Sequence, residues 1–92
     1  MSMTLTASAT ANQIRMMKHA IGFEQRRVRR GKYVAWRNYF FGCGKDFEWE
    51  KLVGWGLAVK REEPDDKVYY HVSEKGFEFL GDILGVKIVE DD

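Results

Sequence analysis

Six cations, Arg26, Arg27, Arg29, Arg30, Lys32 and Arg37, fall within twelve residues of this chain, and Tyr33 and Trp36 are interleaved with them. A guanidinium offers a planar fork of N–H donors that matches phosphate and carboxylate oxygens. Aromatic rings beside such forks offer faces on which unpaired bases stack. These eight residues are therefore the candidate site, and the chemistry they imply is binding of a polyanion. The competing reading is structural: the aromatics belong to the core, and the arginines are solvated or pair with acids elsewhere.

Other residues capable of chemistry do not assemble into a pattern. Cys43 lies between Gly42 and Gly44, close to Lys45 and to a helix start, a setting that favours a thiolate. No histidine is spaced to act as its base. His19 and His71 have no Cys, His or carboxylate at metal-ligand spacing. The G-x-G at 42–44 lacks the following glycine and the preceding strand of a phosphate-cradling loop. No catalytic residue, metal, cofactor or small-molecule substrate is expected, and the predicted class is a non-enzymatic binding protein.

The net charge of +1 conceals a segregation. Residues 1–45 hold nine Lys/Arg against the single acid Glu24, a balance of +8, whereas residues 46–92 hold six bases against thirteen acids, a balance of −7. Such a layout predicts a nucleic-acid or acidic-protein partner, or self-association in which the basic half of one copy meets the acidic half of another.

The elements that must position these residues centre on DFEWEKLVGWGLAVKREEPDDKVYYHVS, Asp46 to Ser73. It reads as a helix over 46–55 capped by Asp46, a glycine turn, a strand 57–61, the polar turn Glu62–Asp66, and a return strand 68–72. Before it, a helix capped by Ser8 or Thr10 runs to Ile21, with Ile14, Met17 and Ile21 on one face and Gly22 as its left-handed terminator. Residues 24–32 are expected in a solvated turn. Tyr33–Phe41 fits either a short helix or, over 33–36, a strand, and 42–45 reads as a flexible loop. After the hairpin, Ser73 caps a helix over 74–84 closed by Gly85, and Val86–Val89 forms a short strand. The predicted core is Ile14, Met17, Ile21, Trp49, Leu52, Val53, Leu57, Val59, Val68, Tyr70, Phe77, Leu80 and Leu84.

Length and composition set the frame. The chain has 92 residues, 45% hydrophobic and 14% aromatic, suited to one small domain and too apolar for a disordered chain. The expected organisation is a frayed segment 1–7, one domain over 8–89 and an acidic tail 90–92. A single cysteine excludes an internal disulfide and fits a reducing compartment. No apolar run approaches the roughly 20 residues of a membrane span. The start MSMTLTASATANQ lacks the basic and apolar regions of a secretory signal, so the expected location is the cytoplasm.

Helix, aromatic segment, helix, hairpin, helix resembles the order of a winged-helix domain. The strings L-V-x-x-G-L-A-V-K-R, Leu52 to Arg61, and Y-H-V-S-E-K-G-F-E-F-L, Tyr70 to Leu80, carry that resemblance. It implies a small α+β, winged-helix-like fold and DNA binding. The layout K-H-A-I-G (Lys18–Gly22), R-N-Y-F (Arg37–Phe40), G-C-G (Gly42–Gly44), L-V-x-x-G-L (Leu52–Leu57) and V-S-E-K-G (Val72–Gly76) is similar to small bacteriophage and prophage proteins of unknown function, which implies a phage accessory or regulatory factor and no particular activity. Local chemistry opposes groove reading. The would-be recognition helix carries Asp46, Glu48 and Glu50 against Lys51, and the wing tip carries Glu62, Glu63, Asp65 and Asp66, all of which phosphates repel.

Overall fold

The computed structural model describes residues 10–90; the segment 1–7 expected to fray, the end of the acidic tail and the side chain of Cys43 lie outside what it describes. Helix α1, Ala11–Ala20, begins where Thr10 accepts from the Gln13 N–H (3.1 Å) while the Gln13 side chain accepts from the Thr10 N–H (2.9 Å). This reciprocal box satisfies two backbone donors that the first helical turn leaves without partners. Gln13 is itself buried and donates from Nε2 to Glu48 (2.7 Å), so the cap also joins α1 to the next helix. Gly22, at φ +64°, terminates α1, and the Phe23 N–H returns to the Lys18 carbonyl (2.9 Å).

The basic run folds as a 3-10 turn, Gln25–Arg27, and then a reversal at Arg29–Lys32. Arg29 and Lys32 exchange both backbone hydrogen bonds at 2.9 Å, with φ +53° at Arg30 and +73° at Gly31. That is the geometry of a two-residue hairpin turn, which ordinarily selects Asn-Gly. The Lys87 N–H bonds the Gly31 carbonyl (2.8 Å) and anchors the reversal to the C-terminal strand.

Tyr33–Phe41 contains no helix. Strand β1, Lys32–Ala35, is followed by strand β2, Phe40–Cys43. The strand reading of 33–36 stands, and the loop expected at 42–45 shrinks because Gly42 and Cys43 pair with Val68 and Lys67. Asn38 explains the crossing between the two strands. Its side chain donates to the Val72 carbonyl (2.9 Å) and accepts from the Val72 N–H (2.8 Å), standing in for a paired backbone residue. No short-range periodicity could have revealed a pairing 34 residues away.

Helix α2, Phe47–Gly54, is capped by Asp46, which accepts from the Trp49 N–H (3.0 Å). Strands β3, Ala58–Glu63, and β4, Lys67–Val72, form the expected antiparallel hairpin. The turn between them, Pro64–Asp66, has φ +69° at Asp65 and +62° at Asp66. Helix α3, Glu74–Leu84, starts at the predicted Ser73 cap and ends at Gly85, and strand β5, Lys87–Glu90, follows. The described architecture is α+β: three helices, an antiparallel sheet in the order β2-β4-β3, and a parallel pair β1-β5. None of the described helices is long and apolar enough to cross a membrane.

The helices pack on the inner face of the three-stranded sheet. Trp49 packs on both Phe40 and Tyr70, with ring centroids 5.6 and 5.5 Å away and planes inclined by 23° and 20°. Met17, Ile21, Leu52, Leu57, Val68, Phe77 and Leu80 join it in the buried core, and Ile14, Val53 and Leu84 pack against the edge. Gly76 lets α3 approach the Leu57 carbonyl, which a Cβ at that position would strike. Val59 is a correction: it is 52% exposed. The Leu57 N–H is held in the turn by the Leu52 carbonyl (2.9 Å), so strand alternation starts at Ala58, which takes the inward place opposite Val72.

Candidate functional site

Trp36 organises the basic end. Its indole N–H donates to the Gly22 carbonyl (3.2 Å), and the ring lies so close to Gly22 that a Cβ there would sit 2.7 Å from Cε2. Glycine is therefore required twice at position 22, for its positive φ and for the ring above it. Half of Trp36, 51%, faces solvent. Arg27 and Arg37 reach it from the two flanking segments, with Cζ 5.8 and 5.7 Å from the ring centroid. Arg37 also lies 5.0 Å from the Tyr39 ring and donates to the Ala20 carbonyl (3.3 Å). Each guanidinium is thus held against a π face, an arrangement that gains most with Trp.

The remaining cations surround this centre. Arg26 pairs with Glu24 at 3.0 Å, but its side chain is 85% exposed, so the pair contributes little. Arg29 donates to the Arg26 and Val28 carbonyls (2.7 and 3.1 Å), Arg30 occupies the tip of the reversal, and Lys32 is exposed at the start of β1. Among the described residues, Glu24 is the only acid recorded in an ion pair with any of the six cations. The structure thus gathers Arg27, Trp36 and Arg37 into one cluster and leaves Arg26, Arg29, Arg30 and Lys32 on the adjoining turns.

Tyr33 requires correction. It is fully buried and cannot offer a face to a ligand. Alternation along β1, fixed by its parallel pairing with β5, turns Lys32 and Val34 outward and Tyr33 and Ala35 inward. The Tyr33 hydroxyl donates to the Gly22 carbonyl (2.6 Å) and its ring packs on Phe23 (4.9 Å). Burial pushes its phenol pKa up. Its role is to fix the glycine on which Trp36 rests.

Sequence reasoning missed the outer face of the three-stranded sheet. Because Phe40, Ala58, Tyr70 and Val72 point inward, Phe41, Val59, Arg61, Tyr69 and His71 share the opposite side, and Tyr39 immediately precedes β2. Cross-strand register aligns Phe41, Tyr69 and Arg61 in one row, where Phe41 and Tyr69 are 4.9 Å apart and Arg61 lies 5.1 Å from the Tyr69 ring. In the next row the His71 Nδ1–H donates to the Asn38 carbonyl (2.6 Å) beside Val59. Tyr39 and Phe41 are 45% and 41% exposed. The signal was present in the alternating residues of the strands, such as Tyr69 and His71, but it needed the phase of each strand.

The opposite end of the hairpin is acidic, and its glutamates are matched within the chain. Lys60 bonds Glu50 (3.0 Å) and lies 3.5 Å from Glu62, and Arg61 pairs with Glu63 at 2.6 Å. No group of His, Cys, Asp and Glu suited to a metal ion occurs among the described residues. Comparison with family models, curated proteins and solved structures finds no match to this chain.

Proposed function

We propose that this protein is a non-enzymatic binding domain that contacts nucleic acid through the basic segment 26–37. The observation that carries this reading is Trp36, half exposed and fixed by Gly22, with Arg27 and Arg37 beside its ring. A ligand that combines phosphates with aromatic bases satisfies both kinds of group at once. Arg26, Arg29, Arg30 and Lys32 extend the positive surface along the neighbouring turns. The resemblance to small phage proteins is compatible with an accessory or regulatory role in a host cytoplasm.

A winged-helix arrangement is supported by the hairpin β3–β4 after α2 and by the pairing of β4 with a strand that precedes α2. It is opposed by the link from β2 to α2, which spans only Gly44–Asp46 and holds no further helix. The acids on α2 and at the tip of the hairpin argue against groove reading by those elements in either case.

Titration of the full chain with single-stranded and duplex oligonucleotides over a range of salt tests the proposal. Single-strand binding contributes a slope of about −0.7 in log K against log salt per neutralised phosphate, so engagement of all six cations gives about −4. Absence of binding at low salt refutes it. A second reading is favoured by a groove between α3 and β5 lined by four acids, Glu74, Glu78, Asp82 and Glu90, against one base, Lys87. That acidic surface suits the basic turn of a second copy. Salt-sensitive dimerisation in sedimentation, without oligonucleotide binding, supports this second reading.

A further inference from the structure

We infer that the outer face of the three-stranded sheet is a stacking platform for unpaired bases, continuous with the basic segment; the inference rests on the nucleic-acid reading above. Continuity is supplied by Arg37, whose guanidinium lies 5.7 Å from the Trp36 ring and 5.0 Å from the Tyr39 ring. Tyr39 leads directly into β2, where Phe41 faces outward two residues further on. Tyr69 extends the row across the sheet through its contact with Phe41.

These rings are not ordinary leftovers of a core. Their neighbours Phe40 and Tyr70 stack on Trp49 inside, whereas Tyr39 and Phe41 keep more than two-fifths of their surface in water. Exposed rings next to guanidinium groups call for a partner that is aromatic and anionic together. Single-stranded nucleic acid has both properties, and its bases present free π faces. A duplex keeps its base faces stacked on one another and offers only edges and backbone.

Charge also bounds the platform. Arg61 is paired with Glu63, so it supplies a plane over Tyr69 more than net charge. Beyond it stand Glu62, Asp65 and Asp66, which repel phosphates. A strand therefore enters from the Arg30 turn, crosses Trp36, Tyr39 and Phe41, and stops short of the hairpin tip. A bound length on the order of 4–8 nucleotides is expected, at the short end of known single-strand sites.

The test uses the full chain, a labelled oligothymidylate of about eight nucleotides, and a duplex of equal length. The double substitution Tyr39→Leu with Phe41→Leu keeps apolar bulk and removes the π faces. It should weaken single-strand binding about 10- to 100-fold at every salt concentration while the salt slope stays unchanged. Val59→Glu, on the same face but outside the rings, should also weaken binding several-fold and guards against a folding defect in the double variant. Wild-type affinity in both variants, with binding lost when Arg26, Arg27, Arg29 and Arg30 become Glu, overturns the platform and leaves the basic site intact. Equal affinity of the wild-type protein for duplex and single strand also overturns the platform. No binding by the wild-type protein at low salt removes both readings.

Discussion

The two ends of this molecule use charge in opposite ways. At the hairpin end, cations meet acids: Lys60 bridges Glu50 and Glu62, and Arg61 meets Glu63. The Lys60–Glu50 contact ties α2 to the sheet, and the Glu50 carboxylate also accepts from the Tyr70 hydroxyl (2.7 Å), which in turn accepts from the Asp46 N–H (2.9 Å). At the basic end, Glu24 is the one acid among the described residues that pairs with any of the six cations, and the guanidinium groups of Arg27, Arg29 and Arg37 rest on rings and carbonyl oxygens. Charge that is matched inside the chain stabilises the fold. Charge held in place by neutral partners keeps its field for a ligand.

The largest effect should come from inverting the unmatched end. Changing Arg26, Arg27, Arg29 and Arg30 to Glu replaces four attractions by four repulsions on exposed turns. Oligonucleotide binding should fall below detection in anisotropy titrations, with the thermal midpoint nearly unchanged, since surface substitutions usually shift stability by about 0.5 kcal/mol or less. Retained binding would place the contact surface away from these arginines.

The converse perturbation strikes the packed end. Leu52 is fully buried between α2 and the sheet, so Leu52→Ala should cost about 2–5 kcal/mol in denaturant unfolding. Binding by the fraction still folded should match the wild type. An unchanged unfolding midpoint would mean that the site collapses around the missing methyl groups far better than a packed core does.

These two ends were unequally legible in the sequence. Helix α3 was readable because Ser73, the Phe77/Leu80/Leu84 spacing and Gly85 all state one answer locally. The hairpin was readable as a pairing through Pro64 and the alternation of β4, but the phase of β3 was not, since Val59 faces out. The basic run was legible as chemistry but not as geometry. Whether Tyr33 or Trp36 faces water depends on the phase of β1, and that phase is set by a strand 55 residues later in the chain. The crossing at Asn38 and the inward Ala58 likewise depend on distant partners, which no window of neighbouring residues contains.

A smaller effect sharpens the structural side through pH. Hydrogen bonds from Tyr70 and Lys60 hold the Glu50 carboxyl below the ordinary carboxylate range. The folded state therefore binds fewer protons there than the unfolded state. Its contribution is complete above the ordinary value of about 4.3 and is lost as pH falls through the folded value below it. Tyr70 moves the other way: burial, followed by its hydrogen bond to Glu50, raises its pKa. Its contribution is complete below the ordinary value of about 10 and is lost as pH rises through the folded value. Glu50→Gln should lower stability at neutral pH by about 1–2 kcal/mol and flatten the acid limb of the midpoint-against-pH curve. An acid limb parallel to that of the wild type would assign the pH dependence to other carboxylates.

The smallest effect is expected at the hairpin tip. Glu62, Glu63, Asp65 and Asp66 repel a polyanion but do not contact it in the proposed path. At physiological ionic strength their field decays over about 8 Å. Changing all four to Ser should therefore leave single-strand affinity unchanged or raise it by about threefold or less, with the gain growing as salt is lowered. Part of any gain has a local origin, because loss of Glu63 frees Arg61 beside the Tyr69 ring. The sign of the result is more informative than its size. If the Ser variant loses binding while the arginine-reversed variant keeps it, the acidic hairpin is the contacting element, and the division between a matched structural end and an unmatched binding end fails. An acid-to-Ser gain confined to low salt is the signature of long-range repulsion from a tip that the ligand does not touch.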